Sequence, residues 1–306
     1  MQKNLPDCLV CGSAASQLLH PSTYRGGVDG AHRYFLANRE ATAHGDIRCC
    51  RDCGFTFTCP QFQDYEYDTI YSRLHEHSVV DSSVASGPGD TANELRFKRL
   101  FGLIAAREDF ANPFLDFGCG DGSFLRVAAS AAGRGFEIGP PGQRAGPRGT
   151  VIDSGQWPAV AGSAALPWAS QAFITAFDVF EHLPNLERDI ELLGRVLAPE
   201  GRLYVTVPDI ESPMARLTRG RWNMLLLEHL WYFSPATLDR FLARFGFRPL
   251  AHVRVPYDAS LAHVAKRLAE TLGLPAPRLP AALAGRVLPV PAGVMFAAYR
   301  RVAGGP

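Results

Sequence analysis

The sequence has no apolar stretch long enough to cross a membrane or to direct secretion. It contains no run of about 18 apolar residues, the length that a membrane-spanning helix needs. Its first residues, Met-Gln-Lys-Asn-Leu-Pro-Asp-Cys, lack the apolar core of a signal peptide. We therefore expect a cytoplasmic protein without a membrane span.

The chain also lacks an excess of charge of either sign. It carries 31 basic and 30 acidic residues, so its net charge is +1. Because nucleic-acid binding relies on basic side chains that neutralise phosphates, this balance gives no electrostatic reason to expect RNA or DNA as a partner. A hydrophobic content of 47% over 306 residues indicates a globular protein with one large core and a small additional module.

Cysteine is scarce in the long C-terminal part of the chain, where only Cys119 occurs. Six of the seven cysteines lie in about the first 60 residues, and an odd total suits metal binding better than a disulfide framework. Two Cys-x-x-Cys-Gly turns each present two sulfur atoms, which predicts a closed tetrahedral zinc site. A cluster of reduced thiols without a metal is the alternative. The predicted zinc ligands are Cys8, Cys11, Cys50 and Cys53.

Such a zinc site would be structural, because four cysteines leave no open coordination position. Cys49 is not expected to replace Cys50, since it would break the two-residue spacing of the turn. The metal would stabilise an N-terminal segment of about 60 residues whose own apolar core is small.

A glycine-rich loop follows a short apolar run at residues 114–117, Phe-Leu-Asp-Phe. The run is typical of a strand buried on both faces, and the residues after the loop predict a helix. Gly118, Gly120 and Gly122 lie at alternate positions between the two. This arrangement places bare backbone N–H groups against a ligand, although an isolated loop of this kind can also be a plain turn.

Two acidic residues extend this pattern. Asp116 ends the predicted strand, where a carboxylate can orient the loop and meet a cationic group of a ligand. Glu137 ends a second predicted strand, about 20 residues further along the chain. An acid at that distance from a glycine loop binds ribose hydroxyls in dinucleotide-binding folds. The glycine loop and Glu137 together therefore predict a ligand that carries ribose.

Strands and helices alternate from residue 114 to residue 208, which predicts a parallel sheet covered on both faces. Residues 139–149 are an exception, because three prolines and four glycines predict a helix that is very short or absent. Residues 248–255 predict a sixth strand, and residues 294–300 predict a last strand that is its antiparallel partner.

The loop sequence Asp-x-Gly-x-Gly-x-Gly at 116–122 resembles motif I of the class I S-adenosylmethionine-dependent methyltransferases. Residues 162–168 are similar to the segment that lines adenine in that family, and Glu-His-Leu-Pro at 181–184 is similar to the end of its fourth strand. With its N-terminal cysteines, the chain resembles members that carry a four-cysteine zinc-binding module. The resemblance implies an α/β, Rossmann-like fold with a doubly wound, mainly parallel seven-stranded sheet and a small N-terminal zinc-ribbon-like module.

The resemblance also implies a division of the chain. We expect a zinc-binding module at 1–62, a linker with a leading helix at 63–110, and a methyltransferase domain at 111–306 with an acceptor-side insertion at about 209–247. S-adenosylmethionine would be the cofactor, beside the structural zinc. The residues expected at this cofactor are Asp116, Gly118, Gly120, Gly122, Glu137, Ser163, Ala164 and Asp178.

His182 and His229 are the candidates for a catalytic base, because a hydroxyl acceptor must lose a proton when it is methylated. We expect both at the methyl-transfer cavity, although each could instead be a structural histidine. Glu181 is expected to cap or orient rather than to catalyse. The aromatic residues expected to form an apolar or sugar-stacking wall are Trp222, Trp231 and Tyr232.

Relatives with this layout act on sugars, on glycan or lipid precursors, or on other small metabolites. Those that methylate sugar carbon carry a further C-terminal domain, for which 306 residues leave no room, so an oxygen or nitrogen acceptor is expected. One alternative is an RNA base methyltransferase that grips RNA through the zinc module, with Arg216, Arg219 and Arg221 as the basic tract. Another is a non-catalytic relative that binds the cofactor or a protein partner through a degenerate site.

Overall fold

The computed structural model describes residues 7–35, 43–63, 65–67, 69–70, 92–138, 142–146, 150–272, 274–275 and 277–302. Residues 71–91 of the predicted linker lie outside this set. Among the described residues, no helix combines the length and the apolar character that crossing a membrane requires.

Twelve strands and nine α-helices have defined bounds in this described part, and residues 65–67 and 69–70 are also helical. The strands are β1 (Ser16–His20), β2 (Ile47–Cys50), β3 (Thr56–Thr58), β4 (Phe114–Phe117), β5 (Gly133–Ile138), β6 (Gly142–Ala145), β7 (Val151–Gly155), β8 (Gln171–Phe177), β9 (Leu197–Pro208), β10 (Trp231–Tyr232), β11 (Phe247–Ser260) and β12 (Val287–Arg301). The α-helices are α1 (Val28–Ala31), α2 (Ala92–Ala105), α3 (Ser123–Ala128), α4 (Trp157–Val160), α5 (Leu186–Val196), α6 (Pro213–Thr218), α7 (Pro235–Ala243), α8 (Leu261–Leu272) and α9 (Ala281–Ala284).

The large sheet has the strand order β11-β12-β9-β8-β4-β5-β7-β6. Its five central strands, from β9 to β7, pair in parallel. At one edge, β12 lies antiparallel between β9 and β11. The predicted doubly wound sheet of seven strands is confirmed. β6 adds an eighth, antiparallel strand at the other edge, where the sequence predicted a very short or absent helix.

The centre of this sheet is apolar on both faces. β4 is buried along its whole length. On one face, Phe114 stacks on Phe173 of β8 with ring centroids 4.8 Å apart. On the other face, Phe117 stacks on Phe136 of β5 at 5.4 Å, and Trp157 of α4 packs against both rings. Residues three apart along a strand point to opposite faces, so one short strand anchors two layers.

Helices cover the two faces. In α5, the side chains of Leu186, Ile190 and Leu193 recur at helical spacing and are all buried, which is typical of a helix packed on a sheet. They share one apolar cluster with Phe117. Helix α2 packs in the cluster that contains Phe114, on the opposite face. The carboxyl ends of the parallel strands remain available for ligands, as in other open α/β sheets.

The N-terminal residues form a second, antiparallel sheet with the order β1-β2-β3-β10. Its fourth strand, β10, comes from the segment at 209–247 and pairs Trp231 with Phe57 of β3. Phe55 packs between Trp231 and Phe233, at centroid distances of 6.1 and 5.1 Å. The N-terminal module therefore shares both a sheet and an apolar cluster with the methyltransferase-like part of the chain.

Candidate active site

The four predicted zinc ligands lie together at the N-terminal sheet, and one sulfur from each lies within 4.8 Å of the others. The Sγ atoms of Cys8 and Cys53 are 3.5 Å apart, as are those of Cys11 and Cys50. A tetrahedron of Zn–S bonds of about 2.3 Å separates its sulfurs by about 3.8 Å, so the set fits zinc. Cys49 stands apart from this set and contacts backbone carbonyl oxygens.

The thiol pKa values at these sulfurs shift in both directions: burial raises the pKa of Cys8 to about 11 and also raises that of Cys53. Burial alone would raise the pKa of the Cys50 thiol, but hydrogen bonds from the backbone N–H groups of Cys53 and Asp52 and contacts with neighbouring thiols lower it to about 7. A thiol with a lowered pKa ionises readily, and the thiolate is the form that binds metal.

The glycine loop between β4 and α3 has left-handed backbone at all three of its glycines. The φ angles of Gly118, Gly120 and Gly122 are 72°, 55° and 77°. A Cβ on Gly118 would overlap Cγ2 of Val179, so glycine is also needed there to let the turn after β8 approach. A Cβ on Gly120 would meet no atom within 4 Å. The loop is therefore open at Gly120 and closed by protein at Gly118.

Glu137 lies at the open side of this loop. Its Oε2 atom accepts a hydrogen bond of 2.6 Å from the backbone N–H of Gly120. Because β4 and β5 are parallel neighbours, the acid that ends β5 reaches the loop that follows β4. The structure thus brings together two parts of the predicted cofactor site that are about 20 residues apart.

Asp116 faces a neighbouring strand of the sheet. Its side chain is buried and accepts a 2.7 Å hydrogen bond from Oγ1 of Thr175 on β8. Burial raises the pKa of this carboxyl group to about 7. The hydrogen bond to β8 fixes the carboxyl group just before the loop, which agrees with the expected role of orienting the loop. Contact of Asp116 with a cationic ligand group stays a prediction.

Ser163 and Ala164 lie in the turn that follows α4. The Ser163 hydroxyl accepts a 3.3 Å hydrogen bond from the backbone N–H of Leu166, so it stabilises its own turn. The preceding helix packs through Trp157 on Phe117, next to the glycine loop, with centroids 4.8 Å apart. This packing places the turn on the face of the sheet that carries the side chain of Phe117, the last residue of β4.

Asp178, directly after β8, is held by two partners that the sequence did not indicate. Its carboxylate forms a 2.6 Å ion pair with the buried guanidinium of Arg96 on α2. The Thr206 hydroxyl on β9 donates a 2.8 Å hydrogen bond to the same carboxylate. The only sequence signal for Arg96 is its position one turn before Leu100, on the buried face of α2.

The two histidines predicted to be catalytic lie side by side. His182 ends the 3-10 turn Phe180–His182 after β8, and His229 precedes β10. Their ring centroids are 4.8 Å apart with the planes at 76°. Glu181 lies beside them, buried, with one carboxylate oxygen, Oε2, that has no hydrogen-bond partner. Burial raises the pKa of Glu181 well above its ordinary range, and the nearby Asp178 raises it further.

The prediction of an aromatic cavity wall is wrong. Trp222, Trp231 and Tyr232 are all buried in the protein core. The indole N–H of Trp231 donates to the carbonyl oxygen of Leu183 at 2.8 Å, and that of Trp222 donates to Ala292 at 3.1 Å. Large aromatic side chains whose polar atoms find partners are stabilised by burial, so these three join the two sheets instead of lining open space.

A cavity of about 170 Å³ lies between the N-terminal sheet and the segment at 209–247. It adjoins the main chain of His229, because Thr58 in its lining donates a 2.8 Å hydrogen bond to the carbonyl oxygen of His229. Polar and aromatic side chains from the N-terminal part face it. The lining includes Tyr24, Asp46, Gln61, Tyr67, Leu227 and Leu230.

A comparison with models of protein families assigns a family to most of the large sheet. A family model described as a methyltransferase domain matches residues 92–252, more than half of the chain. An S-adenosylmethionine-dependent methyltransferase from Mesorhizobium loti is similar in structure, with 15% identity and a TM-score of 0.41 over 66% of this chain and 97% of that chain. A methyltransferase structure from Methanosarcina mazei is similar with 16% identity and a TM-score of 0.40 over 65% and 97% of the two chains. No curated protein sequence matches.

Proposed function

Because the chain belongs to the methyltransferase domain family and is a class I S-adenosylmethionine-dependent methyltransferase, we propose that it methylates a small molecule, a sugar, or a glycan or lipid precursor. We propose oxygen or nitrogen as the methylated atom. One observation carries the choice of a small acceptor: a cavity of about 170 Å³ with polar and aromatic lining adjoins the main chain of His229. Small-molecule sites are concave and combine apolar walls with a few polar groups, as this lining does.

The cofactor would bind at the open side of the glycine loop. Glu137 is proposed to hold the ribose, because one of its oxygens is fixed by Gly120 and a carboxylate can accept further hydrogen bonds through its other oxygen. Asp178, fixed by its pair with Arg96, is proposed to face the methionine end. Ser163 and Ala164 are proposed to contact adenine, either through their backbone or through the Ser163 hydroxyl, which accepts one hydrogen bond within its turn and can form others.

His182 and His229 are proposed to act on the acceptor side of the transferred methyl group. The bond from the acceptor oxygen or nitrogen to the methyl carbon forms as the carbon–sulfur bond breaks, and the bonding pair stays on sulfur. The acceptor loses one proton, which an imidazole nitrogen can take up. Alignment of the two reactants at about 3–3.5 Å would supply most of the rate enhancement.

The four-cysteine site is proposed to hold a structural zinc ion. It lies in the sheet that β10 completes, so the metal would fix the strand next to His229. Cytoplasmic location and a role in biosynthesis remain predictions from the sequence.

An assay with S-adenosylmethionine that carries a labelled methyl group tests the proposed function. Panels of monosaccharides, nucleotide sugars, lipid precursors and structured RNA would be compared at low and high salt. We expect label transfer to one small-molecule class and not to RNA. His182→Gln and His229→Gln should lower turnover by about 10²–10⁴-fold with little change in cofactor affinity. Transfer to RNA would overturn the choice of acceptor, and unchanged turnover in both variants would remove the histidines from the mechanism.

A further inference from the structure

Within the described residues, two groups of side chains are arranged so that they could hold a metal ion. One is the four-cysteine site. The other consists of Glu181, His182 and His229, here called the Glu-His-His cluster. One ligand atom from each of its members lies within 4.8 Å of the others. Two imidazoles and one carboxylate are a donor set that binds first-row transition metals and leaves coordination positions open.

The hydrogen bonds of the two imidazoles determine which nitrogen of each ring has a lone pair that can bind a metal ion. Nδ1 of His182 lies 3.1 Å from the carbonyl oxygen of Glu228, and Nδ1 of His229 lies 2.8 Å from that of Met224. A carbonyl oxygen only accepts, so Nδ1 carries the proton in each neutral ring and Nε2 carries the lone pair. Metal-binding histidines typically donate their second ring N–H in this way.

Glu181 supplies an independent observation. Its side chain is 1% exposed, and its Oε2 atom has no hydrogen-bond partner. An unpaired buried polar oxygen is destabilising, because it loses its hydrogen bonds to water and gains none in the protein. A bound cation would satisfy this oxygen, whereas the protein groups around it do not.

The backbone holds the cluster from both sides. The carbonyl oxygen of Glu181 accepts a 2.7 Å hydrogen bond from the N–H of Leu230, next to His229. Thr58 of β3 fixes the carbonyl of His229 itself. The two chain segments that carry the ligands are therefore joined.

We propose that Glu181, His182 and His229 bind one divalent transition-metal ion on the acceptor side of the active site. With three protein ligands, the ion keeps open positions for an acceptor. The ligands come from the turn after β8 and from the segment before β10, so ion binding would link the large sheet to the N-terminal module.

The consequence for catalysis rests on the proposed function, although binding of the ion does not. A divalent ion that binds an acceptor hydroxyl lowers its pKa, so the proton leaves to water and the bound oxygen attacks the methyl carbon. The oxygen–carbon bond forms, the carbon–sulfur bond breaks with its electron pair on sulfur, and one proton is released overall. In the metal-loaded enzyme the histidines then serve as ligands, and the ion replaces an imidazole in activating the hydroxyl.

Titration of the tag-free full chain with Co²⁺ tests this proposal by calorimetry and visible absorption, with zinc kept at the four-cysteine site and the Glu-His-His cluster first emptied by dialysis against a weak chelator. Cobalt bound by nitrogen and oxygen gives weak d–d bands, whereas cobalt at the four-cysteine site would add intense sulfur-to-metal charge-transfer bands. We expect one Co²⁺ per chain without the sulfur bands. Glu181→Gln and His182→Gln should each weaken this binding at least about tenfold. His252→Gln is the matched control, because His252 pairs with Asp239 and Tyr299 and is no part of the cluster.

Failure of the wild-type chain to bind Co²⁺ stoichiometrically would overturn the proposal, and so would equal affinity in the wild type and both cluster variants. Glu181→Gln keeps the shape of the side chain without a charge, so it carries the test if His182→Gln loses thermal stability. Calorimetry with S-adenosylhomocysteine on the same samples separates the two proposals. Intact cofactor binding with no Co²⁺ binding removes only the metal site, whereas Co²⁺ binding without cofactor binding removes the proposed function.

Discussion

At the scale of single residues, the acids of the candidate site are fixed by protein contacts before any ligand binds. Asp116 bonds to Thr175, and Glu137 bonds to the backbone of Gly120. Asp178 pairs with Arg96. Carboxylates held in this way lose little freedom when a ligand arrives, so the site is preorganised. The burial of Asp116 also makes the stability of the fold sensitive to pH.

Asp116→Asn should make the protein more stable than the wild type at pH 8. The pKa of Asp116 in the folded state is raised to about 7 by burial, above its value of about 4 when unfolded. Between these values, the unfolded chain ionises while the folded chain stays protonated, so stability falls as pH rises, by up to about 1.4 kcal/mol per unit. Asparagine removes this loss and can still bond to Thr175.

Urea denaturation at pH 5 and pH 8 measures the effect of this substitution. The variant should gain about 2–4 kcal/mol over the wild type at pH 8, and clearly less at pH 5. Equal pH dependence in the two proteins would show that Asp116 is not the buried acid described above.

Residues whose role depends on local spacing could be predicted from the sequence, and those defined by distant partners could not. The zinc ligands and the glycines stand in short motifs, and the structure places each set together. Arg96 is 82 positions from its partner Asp178, so no local pattern marks it. Glu181 was expected only to cap or orient, because burial without a partner is visible only in three dimensions.

At the scale of elements, the glycine loop and the turn after β8 fit closely together. Val179 packs where a Cβ of Gly118 would lie. This contact links the proposed cofactor loop to the turn that carries Glu181 and His182. A substitution in the glycine loop should therefore alter the position of the turn after β8, and a substitution in that turn should alter the loop.

Gly118→Ala should destabilise the protein by about 2–3 kcal/mol, since alanine is strained at a φ of 72° and its Cβ overlaps Val179. In Gly118→Ala with Val179→Ala the overlap is gone but the backbone strain remains. Urea denaturation of the two single variants and the double variant gives the coupling. We expect the double variant to be about 1 kcal/mol more stable than the sum of the single effects predicts. Strict additivity would contradict the packing described here.

The parallel core was predictable because its strands and helices are marked by local apolar patterns. β6 was not, because the sequence around it is rich in glycine and proline and shows no such pattern, although β6 pairs with β7. The aromatic residues before α7 were assigned to a cavity wall, yet they form β10 and the surrounding core. That strand pairs with β3 from the start of the chain, and this contact has no signature in either segment.

At the scale of the whole molecule, the N-terminal module and the large sheet form one packed unit. β10 joins the small sheet, and the turn that precedes it carries His229. The four-cysteine site lies at this small sheet. Loss of its metal should therefore destabilise β10 and displace His229, which precedes that strand. We therefore expect removal of zinc to lower both the thermal stability and the methyltransferase activity.

Elemental analysis of the purified chain should find one zinc ion per molecule. Cys8→Ser should lose the zinc and lower the thermal midpoint by about 5–10 °C or more, because metal binding contributes to the folding free energy. Cys49→Ser is the matched control, since Cys49 is adjacent to the site but does not belong to its set of four ligands. Zinc content unchanged in Cys8→Ser, or lost equally in Cys49→Ser, would refute the ligand assignment.

The central claim is that S-adenosylmethionine binds against the glycine loop with its ribose on Glu137, and calorimetric titration with S-adenosylhomocysteine tests it most directly. The wild type should bind one molecule per chain, and Glu137→Gln should bind about 1–3 kcal/mol more weakly through loss of charge-assisted hydrogen bonds. Glu187→Gln, which alters a surface pair with Arg244, should bind like the wild type. No binding by the wild type, or equal affinity in Glu137→Gln, would contradict the account.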